Sequence, residues 1–288
     1  MSSDHDHPIR TRCQNCEAEL KGPYCSACGQ KDFDFHQSFG HVLHEAVETW
    51  FHFDGSFFRG FYDLLFRPGA MTKEFNEGKR ARHVPPLRFY LVVSVLFFLL
   101  IPPHDAAQGA VIVDDEDRAE LLASGLTAGP GGTAPEPGTV EREVEERVRQ
   151  FVQDPSLFWN AFLGALPKTL LACLPLFALI TRVLYRRGGL HYLQHLILSV
   201  HLHTFVFLWW LVAFGWVKVI GLWSDSIADL AGLAAAIYVF YYFYATLRRV
   251  FGGSRLRILL KGTFVGACYT LVLTFAMGVT VVVAGLLA

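Results

Sequence analysis

The sequence predicts an all-α polytopic membrane protein with about five transmembrane helices and a small N-terminal head that carries paired cysteines. Hydrophobic residues make up 52% of the 288 residues, and the 25 Phe add to a composition too apolar for an ordinary soluble domain. Several apolar stretches approach the roughly 20 residues that a helix needs to cross the hydrocarbon core. These two observations predict the helical bundle, and four cysteines close together near the N terminus predict the head.

The head contains two C-x2-C pairs separated by eight residues. The four cysteines are Cys13, Cys16, Cys25 and Cys28. In a reducing cytoplasm this array indicates a tetrathiolate zinc site rather than two disulfides. Gly29 suits the positive φ that often follows the second cysteine of such a turn, whereas Glu17 suits it less well. Because four thiolates leave no ligand position open, we expect one structural Zn2+ in a zinc ribbon.

The chain divides into three predicted regions. Residues 1–34 form the zinc ribbon, residues 35–84 form cytoplasmic amphipathic or interfacial helices, and residues 85–288 form the transmembrane bundle. Neither helix predicted between 35 and 66 is apolar enough to span, so we expect both to lie along the membrane surface or against the bundle. Residues 102–166 are predicted to form a flexible acidic outer loop, with a Gly/Pro-rich segment at 124–139.

Five apolar stretches are predicted to cross the membrane. They cover residues 86–101, 169–185, 192–217, 227–247 and 258–287, and the first is short. Lys and Arg cluster before the first stretch, between the second and third, and between the fourth and fifth. Because these residues favour the cytoplasmic side, the N terminus is predicted inside and the C terminus across the membrane.

One candidate polar site lies on the first amphipathic helix. About one third of the helix circumference is shared by His41, His44, Glu45, Glu48 and His52. Imidazoles and carboxylates on one face can bind a divalent metal. The alternative interpretation is the ordinary polar face of an amphipathic helix, which these residue types commonly occupy.

A second candidate polar site lies on the third predicted span. His195 is near its inner boundary, whereas His201 and His203 are at mid-membrane depth. Ionisable groups at that depth tend to mark paths for protons, ions or ligands. The alternative is interhelical hydrogen bonding, and the last two histidines point about 200° apart around the helix.

No sequence motif indicates catalysis. The chain has no nucleophile elbow, phosphate-binding loop or HExxH sequence, so we predict no catalytic residues and no cofactor other than zinc. Acidic residues offset the basic residues of the head, so nucleic acid is not an expected partner.

Five segments, taken in order, carry a resemblance to a known family. They are "YCSACGQK" (24–31), "HVLHEAVETWFHFDGSFFRGFYDLLFRPG" (41–69), "EGKRARHVPPLRF" (77–89), "LPLFALITRVLYRR" (174–187) and "HLILSVHLHTFVF" (195–207). Together they resemble an uncharacterised bacterial family of integral membrane proteins, a domain of unknown function headed by a zinc ribbon. The resemblance implies a multi-pass protein of the bacterial inner membrane with a cytoplasmic ribbon and a periplasmic C terminus, and it implies no activity.

These observations favour a non-enzymatic scaffold or regulatory module. In this interpretation the ribbon binds a protein partner at the cytoplasmic face, and the lipid bilayer surrounds the bundle. One alternative is a small transporter or transport accessory that uses the histidines of the third span. A weaker alternative is a membrane-embedded metal-dependent enzyme that uses the polar face beginning at His41.

Overall fold

The computed structural model describes residues 11–32, 55–100 and 155–287. Within these ranges the chain forms seven α-helices. They are α1 (Gly55–Phe66), α2 (Ala70–Asn76), α3 (Pro86–Leu100), α4 (Pro155–Leu184), α5 (Tyr192–Gly221), α6 (Asp225–Phe251) and α7 (Arg255–Leu287). The described part of the ribbon contributes two isolated β-bridges and no longer strand. The predicted all-α fold with a cysteine-bearing head is therefore confirmed for the described chain.

Four of these helices are long and apolar enough to cross a membrane. The candidate spans are Phe162–Leu184 in α4, Tyr192–Gly221, Asp225–Phe251, and Arg255–Val283 in α7. They match the second to fifth predicted stretches. The first predicted stretch is α3, whose 15 residues reach only about 22 Å, less than a hydrocarbon core of about 30 Å. A full crossing by α3 stays a prediction.

The predicted outer loop is wrong at its C-terminal end. We expected the loop to continue to residue 166, but α4 already begins at Pro155. Proline fits the first turn of a helix because its missing N–H has no helical partner there and its φ is already helical. The earlier part of the predicted loop, residues 102–154, lies outside the described residues.

The chain divides into two compact units. The first comprises residues 1–97 and 174–268, and the second comprises residues 98–173 and 269–288. In the second unit, the hydroxyl groups of Thr169 on α4 and Thr280 on α7 lie 2.7 Å apart. This hydrogen bond joins two apolar helices, where a polar contact has little competition from water.

The central helix of the first unit is α5. In its most apolar stretch 61% of the residues are buried, against 11–22% in the other three candidate spans. Trp209 of α5 donates its indole N–H to the carbonyl oxygen of Ala235 on α6 at 2.9 Å. The rings of Phe205 and Tyr242 stack across the same pair of helices. Apolar side chains on the other faces are exposed, as expected for helices that contact lipid.

Helix α1 packs against the bundle, which is one of the two positions predicted for it, whereas the first predicted amphipathic helix lies outside the described residues. Phe57 and Phe61 of α1 meet edge to face at a centroid distance of 5.1 Å, and each meets Phe89 of α3 edge to face at 5.2 Å. The hydroxyl of Tyr238 on α6 donates to the carbonyl oxygen of Leu65 at 2.7 Å. The aromatic cluster therefore joins α1 to α3, and the hydrogen bond from Tyr238 joins α1 to α6.

Gly69 allows α2 to start close to α6. Its φ is 68°, in the left-handed region that favours glycine. A Cβ at this position would lie 2.9 Å from the Cα of Thr246 on α6. Arg249 donates from Nη1 to the neighbouring carbonyl oxygen of Pro68 at 2.7 Å. The turn between α1 and α2 therefore packs closely against the Thr246 backbone of α6 and accepts a hydrogen bond from the Arg249 side chain.

Candidate metal centre and adjoining groove

Two turns of matching geometry form the ribbon. The N–H of Glu17 donates to the carbonyl oxygen of Cys13 at 2.9 Å, and the N–H of Gly29 donates to that of Cys25 at 2.8 Å. The φ angles of Glu17 and Gly29 are 63° and 73°. The positive φ expected at Gly29 is confirmed, and Glu17 adopts it as well although a side chain makes it less favourable there.

The two turns bring the four predicted metal ligands together. Their sulfur atoms all lie within 4.8 Å of one another. Those of Cys13 and Cys28 are 3.6 Å apart, and those of Cys16 and Cys25 are 3.5 Å apart. Thiolates about 2.3 Å from a tetrahedral zinc ion are about 3.8 Å from each other, so the cluster fits such an ion. None of the described cysteines forms a disulfide.

Asn15 supports two of the sulfur atoms. Its backbone N–H donates to the Sγ of Cys13 at 3.4 Å. Although burial opposes the shift, hydrogen bonds from the Gln30 backbone and the Asn15 side chain help to lower the pKa of the Cys28 thiol to about 7. A lower pKa favours the thiolate, which is the form that binds a metal.

Gln30, two residues after the last ligand, attaches the ribbon to the turn between α2 and α3. Its Nε2 donates to the carbonyl oxygen of Gly78 at 2.7 Å. Its Oε1 accepts the backbone N–H groups of Arg80 and Ala81 at 2.9 and 3.0 Å. One side chain thus bonds three backbone groups of the turn, which is defined here as residues 77–85.

Gly78 makes this close approach possible. Its φ is 91°, and a Cβ would collide with the side chain of Gln14 from the ribbon. The N–H of Gly78 donates to the carbonyl oxygen of Phe75 at 3.1 Å, which ends α2. The conformation that ends α2 therefore also opens the space in which the ribbon packs.

A polar groove of 580 Å³ lies beside the metal ligands. The ribbon contributes Asn15 and Cys28 to its wall. Helices α1 and α2 and the turn contribute six charged or titratable residues: Arg59, Asp63, Arg67, Glu74, Arg82 and His83. The candidate metal centre therefore forms one wall of a site whose other walls come from helical segments far away in sequence.

Ion pairs organise the groove. Arg67 donates from Nη1 to Oδ1 of the buried Asp63 at 2.9 Å, and this contact raises the pKa of Arg67. Glu74 lies 3.8 Å from Arg67 and 3.6 Å from Arg82. It also accepts a hydrogen bond from Nε2 of His83 at 3.0 Å. Glu74 therefore joins α1, α2 and the turn electrostatically.

His83 is the most deeply buried titratable group of the groove wall, with 3% of its side chain exposed. Burial lowers the pKa of His83 below its usual value, although Glu74 opposes this effect. Desolvation disfavours the imidazolium more than the adjacent carboxylate stabilises it. His83 is consequently neutral near pH 7 and donates from Nε2.

The structure does not bring the predicted histidines of the third span to one point. The hydrogen bond of His201 Nδ1 is to Thr72 of α2, at 3.0 Å. That of His195 Nδ1 is to Thr181 of α4, at 3.1 Å, and His203 Nδ1 donates to the carbonyl oxygen of Ser199 in its own helix, at 2.7 Å. His195 and His201 are buried, and their Nε2 atoms have no hydrogen-bond partner among the described residues.

The other predicted polar face cannot be placed. His41, His44, Glu45 and Glu48 lie outside the described residues. The sequence patterns did not indicate a functional role for Gln30 or for the groove residues outside the ribbon. A signal for the groove was available, since Arg59, Asp63 and Arg67 follow at intervals of four residues and must share one face of α1.

Comparison with known proteins gives one family match. A family described as "Protein of unknown function (DUF3667)" matches residues 54–98. This segment contains α1, α2, the turn and most of α3, and therefore the part of the groove outside the ribbon. None of the curated proteins and none of the solved structures matches the chain. The match supports the resemblance to a family of unknown function over this segment and assigns no activity.

Proposed function

We propose that this protein is a non-enzymatic scaffold or regulatory module of the bacterial inner membrane whose zinc ribbon binds a protein partner. The observation that carries the proposal is the attachment of the ribbon by Gln30 to the turn between α2 and α3. Through this attachment a metal-dependent fold would shape the surface formed by α1, α2 and the turn. Four clustered thiols and no open ligand position favour a structural rather than a catalytic metal.

Zinc is the metal that the ligand set favours. Four thiolates in a tetrahedral arrangement are typical of structural zinc sites, and they would hold the ion through Cys13, Cys16, Cys25 and Cys28. The bound ion would supply folding free energy to a ribbon that otherwise has only two isolated bridges among its described residues.

The topology in this proposal places the N terminus in the cytoplasm and the C terminus in the periplasm. Four candidate spans alone would return the C terminus to the cytoplasm, so the proposal requires α3 to cross as the fifth. Reporter fusions after residue 288 decide between the two arrangements. A cytoplasmic C terminus would contradict the five-span topology and leave the partner-binding proposal standing.

Mild crosslinking in cells followed by affinity purification tests the partner proposal. We expect a protein captured by the wild type to be lost from Cys25→Ser and from Gln30→Ala. The same protein should be retained by Cys173→Ser, which removes a buried thiol outside the cluster, and by Lys21→Ala on the exposed ribbon surface. Equal capture by all variants would show that the ribbon does not hold the partner.

A second candidate function is transport, which the two buried imidazoles on α5 favour. The Nε2 atoms of His195 and His201 lie inside an apolar bundle without a hydrogen-bond partner among the described residues, and such groups can serve a proton or ion path. Proton or Zn2+ flux into proteoliposomes would then fall in His201→Ala. Flux equal to that of the wild type would remove this candidate.

A further inference from the structure

Three guanidinium groups from two parts of the fold meet in the groove. Arg59 and Arg67 lie eight residues apart on the same face of α1, and Arg82 reaches the groove from the turn. Arg59 is exposed and has no ion-pair partner in the part of the chain that the structure describes. The groove therefore contains a guanidinium group that forms no ion pair with a described carboxylate.

The acidic side chains of the groove are already engaged. Asp63 holds Arg67 at 2.9 Å, and Glu74 contacts His83 at 3.0 Å and Arg82 at 3.6 Å. These contacts orient the guanidinium groups and leave the carboxylates little capacity for a cationic ligand. About half of the Arg67 and Arg82 side-chain surfaces, 51% and 45%, stays exposed for further contacts.

Apart from Cys28, the side chains that line the groove carry more positive than negative charge. Three guanidinium groups face two carboxylates, and His83 is neutral because burial lowers its pKa. Cys28 is the one metal ligand in the wall, and four thiolates around Zn2+ would carry a net charge of about −2, so the guanidinium groups also face this negative centre. An anion that enters this groove exchanges its hydration shell for hydrogen bonds from guanidinium N–H groups that the ion pairs already orient.

We propose that the groove binds a phosphate-bearing anion, with Arg59 and Arg82 donating to its oxygens and Arg67 held beside them by Asp63. A terminal phosphate offers three oxygens and can engage several guanidinium groups at once, whereas a carboxylate offers two. The 580 Å³ volume accommodates a small organic phosphate or a lipid headgroup. The site goes beyond the proposed function, since it requires no protein partner.

Calorimetry on the full-length zinc-loaded protein tests the site. The protein is delipidated, reconstituted into nanodiscs of phosphatidylcholine, and titrated with inorganic phosphate and with glycerol phosphate at constant ionic strength. Sodium chloride is the blank titrant. We expect saturable binding of both phosphates, weakened by about tenfold in Arg59→Ala and in Arg82→Ala, because each variant loses a charge-assisted hydrogen bond.

Arg255→Ala is the matched control, because it removes one exposed guanidinium that does not line the groove. Its Kd for phosphate should equal that of the wild type. Zinc content and thermal stability confirm that each variant is folded. If the wild type shows no saturable phosphate binding, or if Arg59→Ala and Arg82→Ala bind as well as Arg255→Ala, the site is refuted.

A second set of nanodiscs identifies the source of the phosphate. Phosphatidic acid carries a terminal phosphate monoester, and oleate supplies the same negative surface charge without phosphate. A rise in the apparent Kd for inorganic phosphate with phosphatidic acid and not with oleate would assign the groove to a lipid headgroup. An unchanged Kd in both discs would assign it to a soluble phosphate, and either result supports the site.

Discussion

Replacing Gln30 with Ala should detach the ribbon from the turn between α2 and α3 without removing the metal. The substitution deletes a side chain that donates to the Gly78 carbonyl oxygen and accepts two backbone N–H groups. The four sulfur atoms are untouched, so we expect full zinc occupancy. The effect should therefore be confined to the contact between the ribbon and the turn.

The magnitude follows from the three hydrogen bonds. A hydrogen bond contributes roughly 0.5–1.5 kcal/mol net, and values near the lower end apply here because the bond to Ala81 is exposed and the other two are only partly buried. We expect a loss of about 2 kcal/mol in the free energy that holds the turn closed, which corresponds to about thirtyfold faster local opening.

Hydrogen exchange of the amides in residues 79–82, followed by mass spectrometry, measures this opening. Lys21→Ala is the control, because it truncates an exposed ribbon side chain that does not bond the turn. The amide groups of Arg80 and Ala81 should lose protection in Gln30→Ala and keep it in the control. Equal exchange in the two variants would show that Gln30 does not hold the turn.

Three further outcomes are expected. Cys13→Ser should lose the single bound zinc measured by plasma mass spectrometry, whereas Cys173→Ser should keep it; retained zinc in both would place the metal elsewhere. Burial lowers the pKa of His83, so His83 binds a proton at higher pH in the unfolded chain than in the folded protein, and the free energy of unfolding should fall as the pH drops below 6.5. If the free energy of unfolding of His83→Gln had the same slope against pH as that of the wild type between pH 5 and 7, this assignment would be wrong. Gly69→Ala should lower the free energy of unfolding by more than about 2 kcal/mol, because it adds left-handed strain and a contact with the Thr246 backbone; an unchanged melting temperature would refute that close approach.

Local sequence patterns were enough to predict the cysteine cluster and most of the long helices. The C-x2-C spacing predicted that four cysteines would cluster. The long apolar runs predicted the helices α4 to α7, with starts within a few residues for α5 to α7. The start of α4 was missed by more, because the sequence before it resembled loop composition and Pro155 was not recognised as a first-turn residue. Such boundary errors arise where composition changes gradually.

The groove could not be predicted because its walls come from separate segments. Nothing in the local sequence says that Gln30 bonds a turn about fifty residues later, or that Cys28 and Arg59 face the same space. The histidines of α5 show the same limit. Their spacing along the helix followed from helical rise, but the partners of His201 on α2 and of His195 on α4 depended on helix packing.

Sequence alone determined the elements whose cause is local: cysteine spacing that brings four thiols together, and apolar length that suits a bilayer. The tertiary structure decided where those elements meet. It placed the ribbon on the turn through one side chain, and it assembled three guanidinium groups beside the metal ligands. The physical reason is the distance along the sequence over which each effect acts. Spacing within one helix or one loop is set by covalent geometry, whereas contact between distant segments is set by packing of the whole unit.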